Sequence, residues 1–145
     1  MLYINEERVL NVGFESYNFK IRTLEYVNTS LIRDVFQNMG YDTLDENILE
    51  KPLENGYIEV LITDNNISIR TAKANSEQVI FKIVDDIKTL NDIFQVSAFD
   101  LQTNKELLPS NFNQTLEKFT LLRNEFCKNY PDIRCPIRCN DVFSG

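Results

Sequence analysis

Acidic side chains are the most numerous groups in this chain that could do chemistry, and histidine is absent. The candidate carboxylate pairs are Asp85-Asp86 and the cluster of Asp42, Asp45 and Glu46. Paired carboxylates act as general acid and base in hydrolysis, or they bind Mg²⁺. Neither group matches a motif, and a chain without histidine lacks the usual general base and the commonest metal ligand. Solvated surface charge is therefore the favoured interpretation.

The three cysteines, Cys127, Cys135 and Cys139, lie close to the C-terminus. They supply three of the four ligands that a closed structural zinc site needs, unless Asp132 or Asp141 contributes. An odd, clustered set is not typical of a disulfide framework, although export would permit a Cys135–Cys139 or Cys127–Cys139 bond. We therefore expect free thiols in a reducing, cytoplasmic compartment, and no metal or other cofactor.

Motifs and overall charge argue against several classes of function. The four glycines occur in no G-x-G or G-K pattern, and G-x-S-x-G is absent, so a phosphate-binding loop and a nucleophile elbow are both missing. The net charge of −7 would repel nucleic acid backbones and anionic membrane surfaces. No apolar run approaches the roughly 20 residues of a membrane span. We expect neither nucleic acid nor a membrane as partner, and the acidic balance favours a basic protein.

Residues 41–56 form an acidic connector in which carboxylates surround apolar side chains. Apolar anchors inside a ring of negative charge could engage a basic protein. Part of the connector is predicted to be helical and packed, with Pro52 ending or kinking the helix. The candidate partner-binding residues are Tyr41, Asp42, Asp45, Glu46, Glu50 and Glu54.

These features favour a non-enzymatic protein-binding function. The sharpest hypothesis is a bacterial immunity or inhibitor protein that neutralises a basic toxin such as a nuclease, because proteins of that class are small, acidic and devoid of catalytic residues. No motif places the chain in a family, so this is an analogy of type. The alternatives are a carboxylate- or metal-dependent enzyme and a structural or assembly subunit.

The elements that must position these residues are organised around residues 57–71. Two β-branched runs flank a polar turn there, which is typical of a β-hairpin. With Asn65-Asn66 as a two-residue type I′ loop, the predicted register pairs Ile62 with Ile69. This register predicts an apolar face made of Ile58, Val60, Ile62, Ile67 and Ile69. An isolated hairpin is only marginally stable, so the apolar face needs a cover.

Amphipathic segments on either side of the hairpin would supply that cover. Apolar residues at spacings of three and four indicate helices at about 29–39, 76–90 and 111–129. Asn75 and Gln78 form a capping-box pattern at the start of the second helix. This second helix is the best candidate to cover the hairpin.

Shorter strands and a packed tail complete the prediction. Two or three strands are predicted within residues 2–27, one over 94–101, and a short edge strand at 106–108. The tail, residues 132–143, is too hydrophobic to be free and is expected to pack back as an irregular segment or edge strand.

The expected fold class is α+β. A chain of 145 residues suits one globular domain, 1–145. We expect an antiparallel sheet centred on the 57–71 hairpin, with about three helices packed on one face.

Overall fold

The predicted hairpin lies in the middle of an antiparallel sheet that has seven strands within residues 14–143. The structure, a computed structural model, describes residues 14–143. The strands are β1 (Ser16–Thr23), β2 (Asp42–Thr43), β3 (Ile48–Leu53), β4 (Gly56–Thr63), β5 (Asn66–Ala72), β6 (Val96–Asp100) and β7 (Lys105–Glu106). Their order across the sheet is β2-β3-β4-β5-β1-β6-β7.

Three helices accompany this sheet within the described residues. They are α1 (Thr29–Asn38), α2 (Glu77–Phe94) and α3 (Phe112–Asn129), with short 3₁₀ helices at Pro109–Asn111 and Cys139–Asp141. The antiparallel sheet and the three helices confirm the predicted α+β fold class. Each helix also lies within a few residues of its predicted range. Ser76, rather than Asn75, caps α2, since its hydroxyl accepts from the Gln78 N–H at 3.2 Å.

The helices and one face of the sheet, called here the inner face, share one hydrophobic core. The hairpin residues predicted to be apolar and covered are all buried: Ile58, Val60, Ile62, Ile67 and Ile69. Buried side chains from all three helices join them, including Phe36 of α1, Ile83 of α2 and Phe119 of α3. Strand alternation sends these hairpin side chains to the same side, so the helices cover the inner face as predicted.

The turn of this hairpin is Asp64-Asn65 rather than Asn65-Asn66. Ile62 consequently lies opposite Ile67, and the predicted pairing was wrong by two residues. A shift of two residues leaves every side chain on its predicted face, because side chains in a strand alternate with a period of two. The positive φ of the turn is found at Asp64 (54°).

The contacts of Asn65 explain why the turn lies one residue before its predicted position. Its side-chain amide donates to the Val27 carbonyl at 2.8 Å and its Oδ1 accepts from the Val27 N–H at 3.0 Å. Its own carbonyl accepts from the Thr23 N–H at 3.1 Å. These three bonds join the tip of the hairpin to the end of β1 and the loop that follows it. They form only if Asn65 lies in the turn of the hairpin.

The acidic connector forms strands rather than the predicted helix. β2 pairs with β3, and β3 pairs along its whole length with β4. Pro52 lies inside β3, opposite Tyr57, close to the end of the strand. Because β2 is two residues long, it leaves the far end of β3 at the sheet edge, where proline is tolerated.

The C-terminal segment, residues 131–143, covers part of the opposite face of the sheet, called here the outer face. Cys139 and Val142 are buried in it, in contact with the Phe126 end of α3. The tail therefore packs back on the domain as an irregular segment, as predicted. The strand prediction for residues 2–13 falls outside the described residues, and residues 14–27 contain one strand, β1.

Candidate functional site

The turn between β2 and β3 presents acidic side chains around an exposed leucine. Asp42, Leu44 and Glu46 are exposed and Asp45 is partly exposed. Leu44 is 57% exposed and lies between the exposed carboxylates of Asp42 and Glu46. We call residues 42–46 the acidic tip.

Main-chain and side-chain bonds fix the shape of the acidic tip. The Leu44 N–H donates to the Ile48 carbonyl at 2.8 Å and Gln37 Nε2 donates to the Thr43 hydroxyl at 2.7 Å. Arg33 Nη1 donates to the main-chain carbonyl of Glu46 at 2.8 Å. Arg33 therefore anchors the loop through its backbone and leaves the Glu46 carboxylate exposed.

The structure separates the six predicted partner-binding residues. Asp42, Asp45 and Glu46 lie together at the acidic tip, whereas Glu54 lies beyond the opposite end of β3. The strand in between is roughly 20 Å long at about 3.4 Å per residue. Glu54 is exposed but does not share a surface patch with the acidic tip.

Tyr41 and Glu50, two of the predicted partner-binding residues, are buried and do not lie on the exposed surface of the acidic tip. The Tyr41 hydroxyl donates to Asp86 Oδ2 at 2.8 Å. Glu50 is held by Arg138 through two bonds, Nε to Oε1 at 2.7 Å and Nη2 to Oε2 at 2.9 Å. A fork of this kind is a strong charge-assisted contact. Both side chains make their contacts within the domain.

Asp86, Tyr41 and Lys51 form a buried polar cluster beneath α2. Lys51 Nζ donates to Asp86 Oδ2 at 3.0 Å and lies 4.7 Å from the centroid of the Tyr41 ring. Burial, followed by the charge of Asp86, raises the pKa of Tyr41 well above its ordinary value. Burial lowers the pKa of Lys51, and the contact with Asp86 opposes that shift. One member of the predicted pair Asp85-Asp86 is thus a structural group, while Asp85 is exposed.

A second polar cluster crosses the outer face beneath the C-terminal segment. In register, Asp42 lies opposite Glu50, Glu50 opposite Glu59, and Glu59 opposite Arg70. Like charges directly opposite each other destabilise a sheet. Here Arg70 and the Arg138 fork supply the compensating positive charges.

The C-terminal segment lies over this row of charged residues on the outer face and bonds to it. The Cys139 N–H donates to Glu59 Oε2 at 2.9 Å, and Arg70 Nη2 donates to Asn140 Oδ1 at 3.2 Å. Arg138 also lies over the Tyr57 ring at 4.3 Å from the centroid. Sequence reasoning missed the roles of Arg70 and Arg138. Strand alternation did place Glu59 and Arg70 on one face, which was the available signal.

A fourth buried carboxylate among the described residues, Asp100, is saturated with donors. Its Oδ2 accepts from the Tyr17 hydroxyl at 2.5 Å and the Thr115 hydroxyl at 2.7 Å. Its Oδ1 accepts from the Gln102 and Thr103 N–H groups at 2.8 and 3.1 Å. Every oxygen of this carboxylate is engaged, so Asp100 ties β6 to β1 and α3.

An apolar groove runs between α2 and the loop that leads into α3. Its deeper part has a volume of about 240 Å³ and is lined by Val84, Ile87, Lys88, Leu107, Leu108, Pro109 and Phe112. A neighbouring depression of about 300 Å³ shares Ile87, Leu107 and Pro109 with it and adds Asp92 and Glu106. The carboxylates that could do acid–base chemistry in the interior, Glu50, Glu59 and Asp100, do not line this groove.

The cysteines are free thiols. Cys139 is buried, and burial followed by the charge of Glu59 raises the pKa of its thiol. Over residues 14–143, no group of three or more potential ligands is arranged to hold a metal ion. In the same part of the chain, no helix combines the length and apolar character needed to cross a bilayer.

Two comparisons with known proteins find no match. No protein-family model matches the chain. A search of curated proteins also finds no match.

Proposed function

We propose that this chain is a non-enzymatic protein-binding domain that engages a basic protein through the acidic tip. The observation that carries the proposal is Leu44, 57% exposed between the exposed carboxylates of Asp42 and Glu46. An apolar side chain with polar groups around it matches the general anatomy of a protein interface, in which an apolar centre is surrounded by a polar rim. The net charge of −7 adds long-range attraction for a cationic partner.

Rigidity of the acidic tip supports the same proposal. The bonds from Arg33 and Gln37 hold the loop in one shape before any partner arrives. A preorganised loop loses less conformational entropy on binding, which favours affinity. The sharper version is that the partner is a basic toxin, such as a nuclease, and that the chain is its immunity protein. A cytoplasmic location belongs to this version, and three free thiols fit a reducing compartment.

Charge reversal at the acidic tip tests the proposal. The double variant Asp42→Lys/Glu46→Lys reverses two exposed charges, and Glu54→Lys/Asp92→Lys makes the same net change at exposed positions away from the tip. Glu50 is left intact, because reversing it would break the Arg138 contact. Each protein is immobilised as bait in extract of the cell that carries the gene, and retained proteins are quantified by mass spectrometry.

We expect a basic protein to be retained by the wild type and by the control double variant, but not by the tip variant. Leu44→Ala should weaken the same interaction, because it removes the apolar anchor. Binding of the purified partner should also weaken as salt rises, since exposed charges are screened. Equal retention by the tip variant would contradict the proposal. Growth rescue on co-expression with the partner would support the immunity version, and its absence would leave only the binding role.

A further inference from the structure

The part of the outer face that the C-terminal segment leaves open carries two adjacent cations. Lys20 and Arg22 are exposed on β1 and project to the same side, since they are two residues apart. Neither takes part in an ion pair within residues 14–143. In a chain with a net charge of −7, the two cations make this part of the outer face locally positive.

The cross-strand neighbours of these cations are neutral. Lys20 lies between Ser68 of β5 and Phe99 of β6. Arg22 lies between Asn66 and Ser97 of the same two strands, and its Nε donates to Asn66 Oδ1 at 3.4 Å. The nearest carboxylate in register is that of Glu106, on the far side of Phe99.

A small depression forms where the two cations meet β6. It has a volume of about 130 Å³ and is lined by Lys20, Arg22, Ser97 and Phe99. That volume equals about four waters at roughly 30 Å³ each, so it accommodates one oxyanion group and not a whole ligand. Phe99 lines the depression and is 44% exposed, so an aromatic side chain borders it on the solvent side.

We propose that this depression binds a nucleoside monophosphate. The phosphate oxygens accept from Lys20, Arg22 and the Ser97 hydroxyl, and the base stacks on Phe99. An arginine fork and an ammonium group are the usual protein donors to phosphate, and aromatic side chains on a sheet are the usual platform for a base. This site is separate from the acidic tip, and it does not depend on the proposed function.

A mononucleotide fits better than a nucleic acid strand. A strand must bring many phosphates near a protein of net charge −7, and each additional phosphate is repelled. A single phosphate placed between two cations is attracted mainly by that pair, because charges beyond about 8–10 Å are screened at physiological salt.

Titration of ¹⁵N-labelled protein with adenosine 5′-monophosphate, followed by NMR, tests the site. Adenosine, inorganic phosphate and a single-stranded hexa-adenylate are titrated in parallel. The variants are Lys20→Gln, Arg22→Gln and Phe99→Ala. Their matched controls are Lys128→Gln and Leu121→Ala, which alter exposed side chains of α3.

We expect saturable binding of the monophosphate with shifts confined to β1, β5 and β6, and weaker binding of adenosine and of inorganic phosphate. Lys20→Gln and Arg22→Gln should each weaken binding about tenfold, in keeping with the loss of one charge-assisted hydrogen bond. Phe99→Ala should reduce the affinity to that of inorganic phosphate, and the controls should leave it unchanged. Absence of saturable binding, equal losses in Lys128→Gln, or tighter binding of hexa-adenylate than of the monophosphate would overturn the proposal.

Discussion

Glu59 and Arg70 lie directly opposite each other on β4 and β5 and form an ion pair with 3.0 Å between Oε1 and Nη2. Their side chains are 8% and 2% exposed, respectively. The second carboxylate oxygen accepts from the Cys139 N–H, and the guanidinium also donates to Asn140. The pair therefore joins the centre of the sheet to the C-terminal segment, and each charge depends on the other for its compensation.

Arg70→Met is expected to destabilise the domain strongly. Removing one partner of a buried pair leaves an uncompensated charge, which costs about 3–5 kcal/mol of the free energy of unfolding. Urea denaturation measures the loss. The exposed cation Lys20 on the neighbouring strand supplies the control, since Lys20→Met should change stability by less than about 0.5 kcal/mol. The double variant Glu59→Leu/Arg70→Met should recover much of the loss, and no recovery would contradict the charge explanation.

Asn75→Ala is expected to release the C-terminal segment. The buried Asn75 side chain donates to the Ile137 carbonyl and accepts from the Ile137 N–H, both at 2.9 Å, so it pairs with that residue as a strand would. Loss of these bonds should speed amide hydrogen exchange across residues 131–143 while exchange in α1 stays unchanged. Ser76→Ala, which removes the cap of α2, is the neighbouring control and should speed exchange at the start of α2 instead.

Local patterns in the sequence were sufficient for the helices and for the faces of the hairpin. Apolar spacing located α1, α2 and α3 because each helix buries one stripe of its own residues against the sheet. The predicted faces of the hairpin were correct although the predicted pairing was wrong. The pairing was wrong by two residues, and side-chain direction in a strand repeats every two residues. The turn itself depended on bonds between Asn65 and Val27, which no local pattern contains.

The candidate site was harder to predict because burial of its members is decided at long range. Tyr41 is buried where its hydroxyl donates to Asp86, which is 45 residues away in the sequence. Glu50 is buried by Arg138, which is 88 residues away. Apolar residues beside Glu50 suggested a helix, whereas pairing with β4 made the segment a strand. Exposed carboxylates and buried ones look the same in a sequence until these partners are known.

Cys139 is expected to resist alkylation in the folded protein. Its pKa is raised by burial and by the nearby charge of Glu59, so little of the reactive thiolate is present. Treatment with iodoacetamide at about pH 8, followed by peptide mass spectrometry, should modify the partly exposed Cys127 and Cys135 first. Modification of Cys139 should require urea, or the Asn75→Ala change. Labelling of Cys139 as fast as Cys135 in the native protein would contradict the burial of Cys139 against the domain.

Tyr41→Phe is expected to change how stability depends on alkaline pH. The pKa of Tyr41 is raised in the folded state, so above the ordinary value of 10.0 the unfolded chain loses the phenol proton while the folded protein keeps it. Stability contributed by Tyr41 is therefore fully present below that pH and falls above it, by about 1.4 kcal/mol per pH unit. The lowered pKa of Lys51 acts with the opposite sign, adding stability as the pH rises towards 10.5.

The comparison of wild type with Tyr41→Phe isolates the tyrosine, because Lys51 is present in both. At neutral pH the variant should be less stable by about 1 kcal/mol, the value of the lost hydrogen bond to Asp86. This difference should shrink above the ordinary tyrosine pKa and then reverse, because the phenylalanine has no proton to retain. Urea denaturation between about pH 8 and pH 11 measures it. Tyr26→Phe, whose ring is 81% exposed, is the matched control. A difference that stays constant across this range would contradict the raised pKa of Tyr41 in the folded protein.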